Sequence, residues 1–397
     1  MDPQQPGPPP QHQPQPGPYS QPGQYPPPPP HPGPYPEQWG APPPHQQQWG
    51  APAPYPTPYP APNPAPYPVQ YAYREPRVIP APPGTPFHRL ARTPKHAWWR
   101  PIVGTLLLGA FVLFLTTGVV VAWTIVHRLV AGPVPTPTGT DIFPSDTENL
   151  AVTLVMLGIL TPCVGLAAWV VQRRPFWSVA SVLNKIRWRW LLLCCVPALG
   201  YLALSYAMGL LVDAIFPPDD AIGNDGGSWI GFGAFLVPAL VILFLVPFQS
   251  AAEEFMFRGW LIQAVGAYGP DSPDGPGGRA RWVRTIFRSP WPGIVIGGAA
   301  FVSAHGYTGW AMADVFLFAI TVGWLTVRTG GLEAGIALHA LNNVLAFMLP
   351  AATGQLSGWD EQGGAPWTLL ASDIPSLAFY AFAITWLAKR QQVATVS

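Results

Sequence analysis

Six polar side chains stand where long apolar runs leave little room for them. Glu253, Glu254 and Arg258 follow closely on the uncharged stretch Leu236–Phe248, His305 closes the run that begins at Pro292, and His339 and Asn343 lie within Leu332–Pro350. Ionisable groups at bilayer depth are costly and by default mark functional sites. Their spacing is helical: Glu254 and Arg258, Phe301 and His305, and His339 and Asn343 are each four residues apart, which puts each pair on one helix face. Glu254 can therefore pair with Arg258. Glu253 is turned about 100° away from Glu254 by the helical pitch and has no local cation, which suits a general base.

These groups can meet only if their helices bring them to one depth. With helix ends near Gly266, Pro292 and Gly331, a rise of about 1.5 Å per residue places Glu253 and His305 roughly 20 Å, and His339 about 12 Å, from one membrane face. That is compatible with convergence inside the bilayer. Blander roles exist for single groups. Glu254 and Arg258 alone could be a structural clasp, and His127, near the end of the first run, is expected to bond a neighbouring helix. Asp213, Asp314 and Glu333 lie close to run ends and are expected to reach the interface. Four polar groups on three helices, Glu253, His305, His339 and Asn343, are harder to explain without a shared wet cavity.

The elements that must position them are membrane helices. Apolar residues make up 49% of the 397 and charged ones only 10%, against about 25% charged in soluble domains. Eight apolar segments follow the N-terminal region, at about Ile102–Val126, Leu150–Val171, Trp190–Val212, Ile230–Gly266, Pro292–His305, Ala311–Val327, Leu332–Leu349 and Trp367–Leu387. A span needs roughly 20 residues, so the fifth is short and the fourth long; Pro238 and Pro247 predict a kink or tilt in the fourth. The expected fold is all-α, a polytopic membrane protein of about eight transmembrane helices. No secretory signal is expected, because the first apolar run comes so late.

Loop charges orient the spans. Arg89, Arg92, Lys95 and Arg100 precede the first; Arg173, Arg174, Lys185, Arg187 and Arg189 follow the second; Arg279, Arg281, Arg284 and Arg288 follow the fourth; Arg328 follows the sixth and Lys389 and Arg390 the eighth. The alternate loops are acidic, with Asp141, Asp146 and Glu148, then Asp219, Asp220 and Asp225, then Asp360 and Glu361. The positive-inside rule puts both termini in the cytoplasm. Trp98, Trp99, Trp188, Trp190, Trp229, Trp291 and Trp310 form an interfacial aromatic belt. The net charge of +1 gives no field for nucleic acid. Cys163, Cys194 and Cys195 fall in apolar runs and read as small buried hydrophobes rather than a disulfide or zinc framework.

The first 86 residues hold 34 of the 55 prolines, and Gln38-Trp39-Gly40-Ala41-Pro42 recurs as Gln48-Trp49-Gly50-Ala51-Pro52. Such a segment cannot bury enough apolar surface to order itself, so a disordered, locally polyproline-II arm is expected, either a passive tail or a docking arm for a partner. The expected division is an arm over 1–95, helices without a motif over 96–228, a motif-bearing core over 229–350, and a last loop, helix and cytoplasmic tail over 351–397.

Glu-Glu-x-x-x-Arg, then Phe-x-x-x-His, then His-x-x-x-Asn, each on a membrane helix and in that order, resembles the CPBP family of intramembrane proteases, which includes CAAX prenyl endopeptidases and bacterial abortive-infection and bacteriocin-immunity proteins. The resemblance covers about Trp229–Pro350 and extends to Arg258-Gly259 and Thr329-Gly330-Gly331-Leu332. It implies an intramembrane endopeptidase acting on a membrane-embedded protein or peptide. Glu253, helped by His305, would activate water; Glu254 and Arg258 would hold the helix and the carboxylate; His339 and Asn343 would stabilise the oxyanion or complete a metal site. Zinc on Glu253, His305 and His339 would suit an open catalytic site, yet His-Glu-x-x-His is absent, and a metal-free glutamate mechanism fits equally. Composition hints at a bacterial inner membrane. Two other readings stand beside the enzyme. One is a non-catalytic scaffold or immunity protein recruiting partners through the arm. The other is a proton-relaying transporter, which predicts an inverted internal repeat that the sequence does not display.

Overall fold

The structure, a computed structural model, describes residues 75–134, 141–217, 227–271, 278–358 and 363–397. These belong to one compact unit, Ala72–Ser397. The arm up to residue 74 lies outside the described residues, as do the acidic-loop residues Asp219, Asp220, Asp225, Asp360 and Glu361. The end of the expected arm, however, is folded. Phe87 and Leu90 are buried in the core, and Gly84 and Thr85 share backbone hydrogen bonds with Ser397. Two apolar side chains four residues or fewer apart suffice to dock a short helical turn there, at Phe87–Arg89.

Seven helices are long and apolar enough to cross a membrane, and the chain is a multi-pass, all-helical membrane protein. They are α1 (Trp99–Val130), the pair α2 (Asp146–Gly158) and α3 (Leu160–Val170), α4 (Trp188–Ile215), α5 (Phe232–Glu253) continued through a wide turn into α6 (Ile262–Gly266), α9 (Gly309–Thr329), α10 (Glu333–Thr353) and α11 (Trp367–Arg390). Two shorter helices, α7 (Gly278–Arg288) and α8 (Trp291–Ser303), come between α6 and α9. The short fifth run is thus a helix of 13 residues, about 20 Å long and unable to span alone. The second run breaks at Ile159. Pro162 lacks the N–H that would bond Gly158, which explains the interruption one turn earlier. In α5 the prolines do not stop the helix; the departure from α geometry comes later, as a π-helical segment over Glu254–Leu261.

Loop hydrogen bonds sort the helix ends into two faces. On one, Arg187 donates to the carbonyls of Thr329 and Ala394, His88 bonds the carbonyl of Arg288, Leu332 N bonds Ala180 O, and Thr85 meets Ser397. On the other, His127 meets Glu148, Ile230 N bonds Ala352 O, and Thr308 N bonds Gly363 O. The arginine-rich loops gather on the first face. Three buried clusters hold the bundle, and α10 enters all of them through Ala334, Ala337 and Leu338, through Ile336, and through Ala351. Outward side chains such as Leu106, Leu113, Phe114 and Leu129 are exposed, as lipid-facing residues are. Between helices the gain is therefore close packing rather than escape from water.

Candidate active site

The site is built where α5 gives way to the π-helical turn. A π-turn is a common feature of functional sites, and here it follows Glu253 directly and contains Glu254 and Arg258. All three side chains are buried, as is His339 of α10. Trp260, two residues after Arg258, donates through Nε1 to Thr105 of α1 at 3.0 Å and fixes the segment against α1. Gly259 lets the backbone of Val179 approach; a Cβ there would lie 2.8 Å from that carbonyl oxygen.

His339 stands between the two glutamates. Its Nδ1 is 2.9 Å from Glu254 Oε1, and its Nε2 is 3.4 Å from Glu253 Oε2. The first is a hydrogen bond. The second is a charge contact without hydrogen-bond alignment, for Glu253 Oε2 accepts no bond among the described residues. Arg258 Nη1 lies 2.9 Å from Glu254 Oε1, again close but misaligned, and its Nε and Nη2 have no hydrogen-bond partner among the described residues. The guanidinium is instead placed over the Phe301 ring, 4.1 Å from its centroid, an attraction that gains strength when desolvated. Two carboxylates thus face one guanidinium and one imidazole, and the imidazole is hydrogen-bonded to only one of them, Glu254.

The Phe301 ring is the hub for the remaining groups. It meets His305 at 4.6 Å and His339 at 5.7 Å between centroids, so both imidazoles border one aromatic wall. His305 lies beyond the end of α8, not within it, and its Nδ1 is 2.7 Å from the Phe301 carbonyl oxygen. That contact makes Nδ1 the donor and leaves Nε2 as acceptor. His305 and Asn343 are half-buried, in contrast to the buried acids. No direct bond joins His305 to Glu253 among the described residues. Asn343 Nδ2 makes a long contact of 3.4 Å to Gln249 Oε1.

All six sequence-derived residues thus lie along one chain of contacts, and three partners were missing from that set. Gln249 donates to Glu253 Oε1 at 2.6 Å and accepts from Ser250 Oγ at 3.1 Å; its position one turn before Glu253, inside an uncharged run, was the available signal. Tyr307 stacks on His305, centroids 5.7 Å apart. Gly335 leaves room for Glu254, since a Cβ there would lie 2.7 Å from Glu254 Oε2. One expectation is overturned. Glu333 does not reach the interface; it is fully buried and bidentate with Arg187 at 2.8 and 2.6 Å, because the loop before α4 folds over the start of α10. Asp314 is half-buried, while Asp213 is exposed as expected. His127 bonds Glu148 across α1 and α2, and the cysteines are unpaired. A second polar group, Asp373 of α11 with Tyr201 and Ser205 of α4 at 2.7 and 3.2 Å, was not foreseen. A groove of about 320 Å³ near it, lined by Ser205, Asn342 and Ser372, does not include the carboxylates of the quartet.

Among the described residues no three His, Cys, Asp or Glu converge to hold a metal ion. Both nitrogens of His339 face carboxylates, and His305 Nδ1 is held by the Phe301 carbonyl of α8, so a metal on Glu253, His305 and His339 would have to displace these contacts.

An uncharacterized protein of Bacillus subtilis (strain 168), YyaK, is 29% identical to this chain over 191 residues, 47% of this chain and 56% of YyaK. The chain therefore spans about half the length of the curated relative it matches. No solved structure matches it. Residues 234–345 match the family model described as type II CAAX prenyl endopeptidase Rce1-like. That span runs from α5 into α10 and holds the quartet, Phe301, His305 and Asn343, so the similarity to the Rce1-like family falls on the site-bearing core of this chain.

Proposed function

We propose that this protein is an intramembrane endopeptidase that hydrolyses a peptide bond of a membrane-associated protein or peptide by a glutamate-dependent, metal-free route. The observation that carries the reading is the buried imidazole of His339 set between two carboxylates, one of which keeps an unbonded oxygen. Water bound at Glu253 Oε2 gives a proton to that oxygen, while His305 Nε2 accepts its second hydrogen and orients it. The water oxygen attacks the peptide carbonyl carbon, and the carbonyl electron pair moves onto oxygen. Asn343, whose amide has donor capacity to spare, faces the resulting oxyanion. The C–N bond then breaks, and the departing amine takes the proton held by Glu253. His339 and Arg258 act through the carboxylates, holding them in place. General base catalysis of this kind contributes about 10² to 10⁴ in rate, and an oxyanion donor about 10² to 10³.

The arginine-rich loops gathered on one face support an orientation with that face, and the Thr85–Ser397 contact with it, in the cytoplasm. The test is cleavage of a farnesylated CAAX peptide and, in cells, comparison of membrane-protein termini, each with the intact protein and with Glu253→Gln. Loss of cut termini in the variant, with the protein still folded, supports the reading. Identical termini in both would sink it and leave the non-catalytic scaffold.

A further inference from the structure

Helix α7 is unlike its neighbours. Its 11 residues extend about 16 Å, half a bilayer core, and it carries Arg279, Arg281, Arg284 and Arg288. At about 100° per residue, Arg281, Arg284 and Arg288 fall within roughly 60° of arc, while Trp282, Val283, Ile286 and Phe287 fall within roughly 140° on the other side, where Arg279 also falls, at the helix start. That apolar side is uncovered by protein: Trp282 is 68% exposed, and Val283 and Phe287 are each 45% exposed. Arg281 forms no ion pair among the described residues, and the nearby carboxylate of Asp271 is taken by Arg89 and Arg92.

The helix is also held at the arginine-rich face. His88 Nε2 is 3.0 Å from the Arg288 carbonyl oxygen, Arg288 Nη1 donates to Asp271 O at 2.5 Å, and only Ser289 and Pro290 separate α7 from α8. A short helix with a basic stripe and a bare aromatic face, tied at a membrane face, matches the physics of an interfacial helix. We propose that α7 lies in the headgroup layer and recognises anionic phospholipid, with Trp282, Val283, Ile286 and Phe287 at the acyl boundary and the arginine stripe drawn to the headgroup phosphates. Because α8 carries Phe301, the seating of α7 bears on the wall that both site imidazoles touch. A basic amphipathic helix also fits a groove on a protein partner, but a helix followed so directly by a membrane-embedded helix is held where lipid meets it first.

The test is backbone hydrogen exchange of the full-length protein in nanodiscs of phosphatidylcholine alone and of phosphatidylcholine with an equal part of phosphatidylglycerol. Amides of α7 are expected to exchange at least about tenfold more slowly in the anionic discs, the size expected of two to three basic residues near an anionic surface. Arg281→Gln combined with Arg284→Gln removes that difference, while the amides of α10 stay protected to the same degree in both discs. Equal exchange of α7 in the two lipids by the intact protein overturns the proposal and is the outcome a helix reserved for a protein partner gives.

Discussion

Gln249 donates its amide to Glu253 across one turn of α5 at 2.6 Å, and this bond decides which oxygen of the carboxylate is left without a hydrogen bond. With Oε1 occupied, Oε2 is the oxygen that faces His339 and carries no hydrogen bond. Gln249→Leu keeps the side-chain volume and removes the donor. Expected is a fall in kcat of about 10- to 100-fold with KM little changed, since the loss is of orientation and not of substrate contact. A KM rise with kcat intact would place Gln249 in substrate binding instead. Single-turnover and steady-state cleavage of one peptide separate the two.

Arg187 and Glu333 form the most completely buried ion pair in the described residues apart from the quartet of Glu253, Glu254, Arg258 and His339, with Arg187 also holding the carbonyls of Thr329 and Ala394. Removing one partner strands a charge. Arg187→Ala should destabilise the protein by about 3–5 kcal/mol, and Arg187→Lys should recover little, because a single ammonium cannot reproduce the bidentate fork. The combined change Arg187→Met with Glu333→Leu should recover most of the loss. Thermal unfolding in detergent reads all three.

Gly335 lies where the backbone of α10 passes beside the Glu254 carboxylate. A methyl group at this position would meet Glu254 Oε2 and Val322 Cγ1, each at 2.7 Å, and a carboxylate held by His339 has no free direction in which to retreat. Gly335→Ala should cost about 1–3 kcal/mol of stability and reduce turnover further than that loss explains, because the displaced group is Glu254. Unchanged turnover at a temperature where the variant is fully folded would remove Glu254 from the positioning role.

His88 gives the protein a pH dependence outside the membrane spans. Burial holds its proton affinity below the ordinary imidazole range, and the hydrogen bond to the Arg288 carbonyl offsets this only in part. Its Nδ1 is buried with no hydrogen-bond partner among the described residues, so a second proton would have nowhere to donate. The unfolded chain then binds the proton more readily than the folded one, and stability rises with pH. It is fully present above the unfolded imidazole value of about 6.5 and is lost as pH falls from there toward the lower folded value. The unfolding temperature should drop between pH 7.5 and pH 5.5, and the drop should be smaller in His88→Gln. An equal drop in both would assign the effect elsewhere.

Periodicity and composition were enough to locate every helix that carries the site, since lipid demands long uncharged stretches and makes each charge within them conspicuous. Glu253, Glu254, Arg258, His339 and Asn343 stood out for that reason, as did the pattern they form with His305, which resembles that of the CPBP family. What the linear chain left open was partnership. A helical repeat tells which side chains share a face, but not how far another helix is rotated toward them. So Glu253 looked unpaired until α10 brought His339 beside it, Glu333 looked interfacial until the loop at Arg187 closed over it, and Gln249 and Gly335 had no evident task. Local sequence determined where polar groups enter the membrane. Only packing, through the approach of α5, α8 and α10 around the ring of Phe301, decided which of them touch.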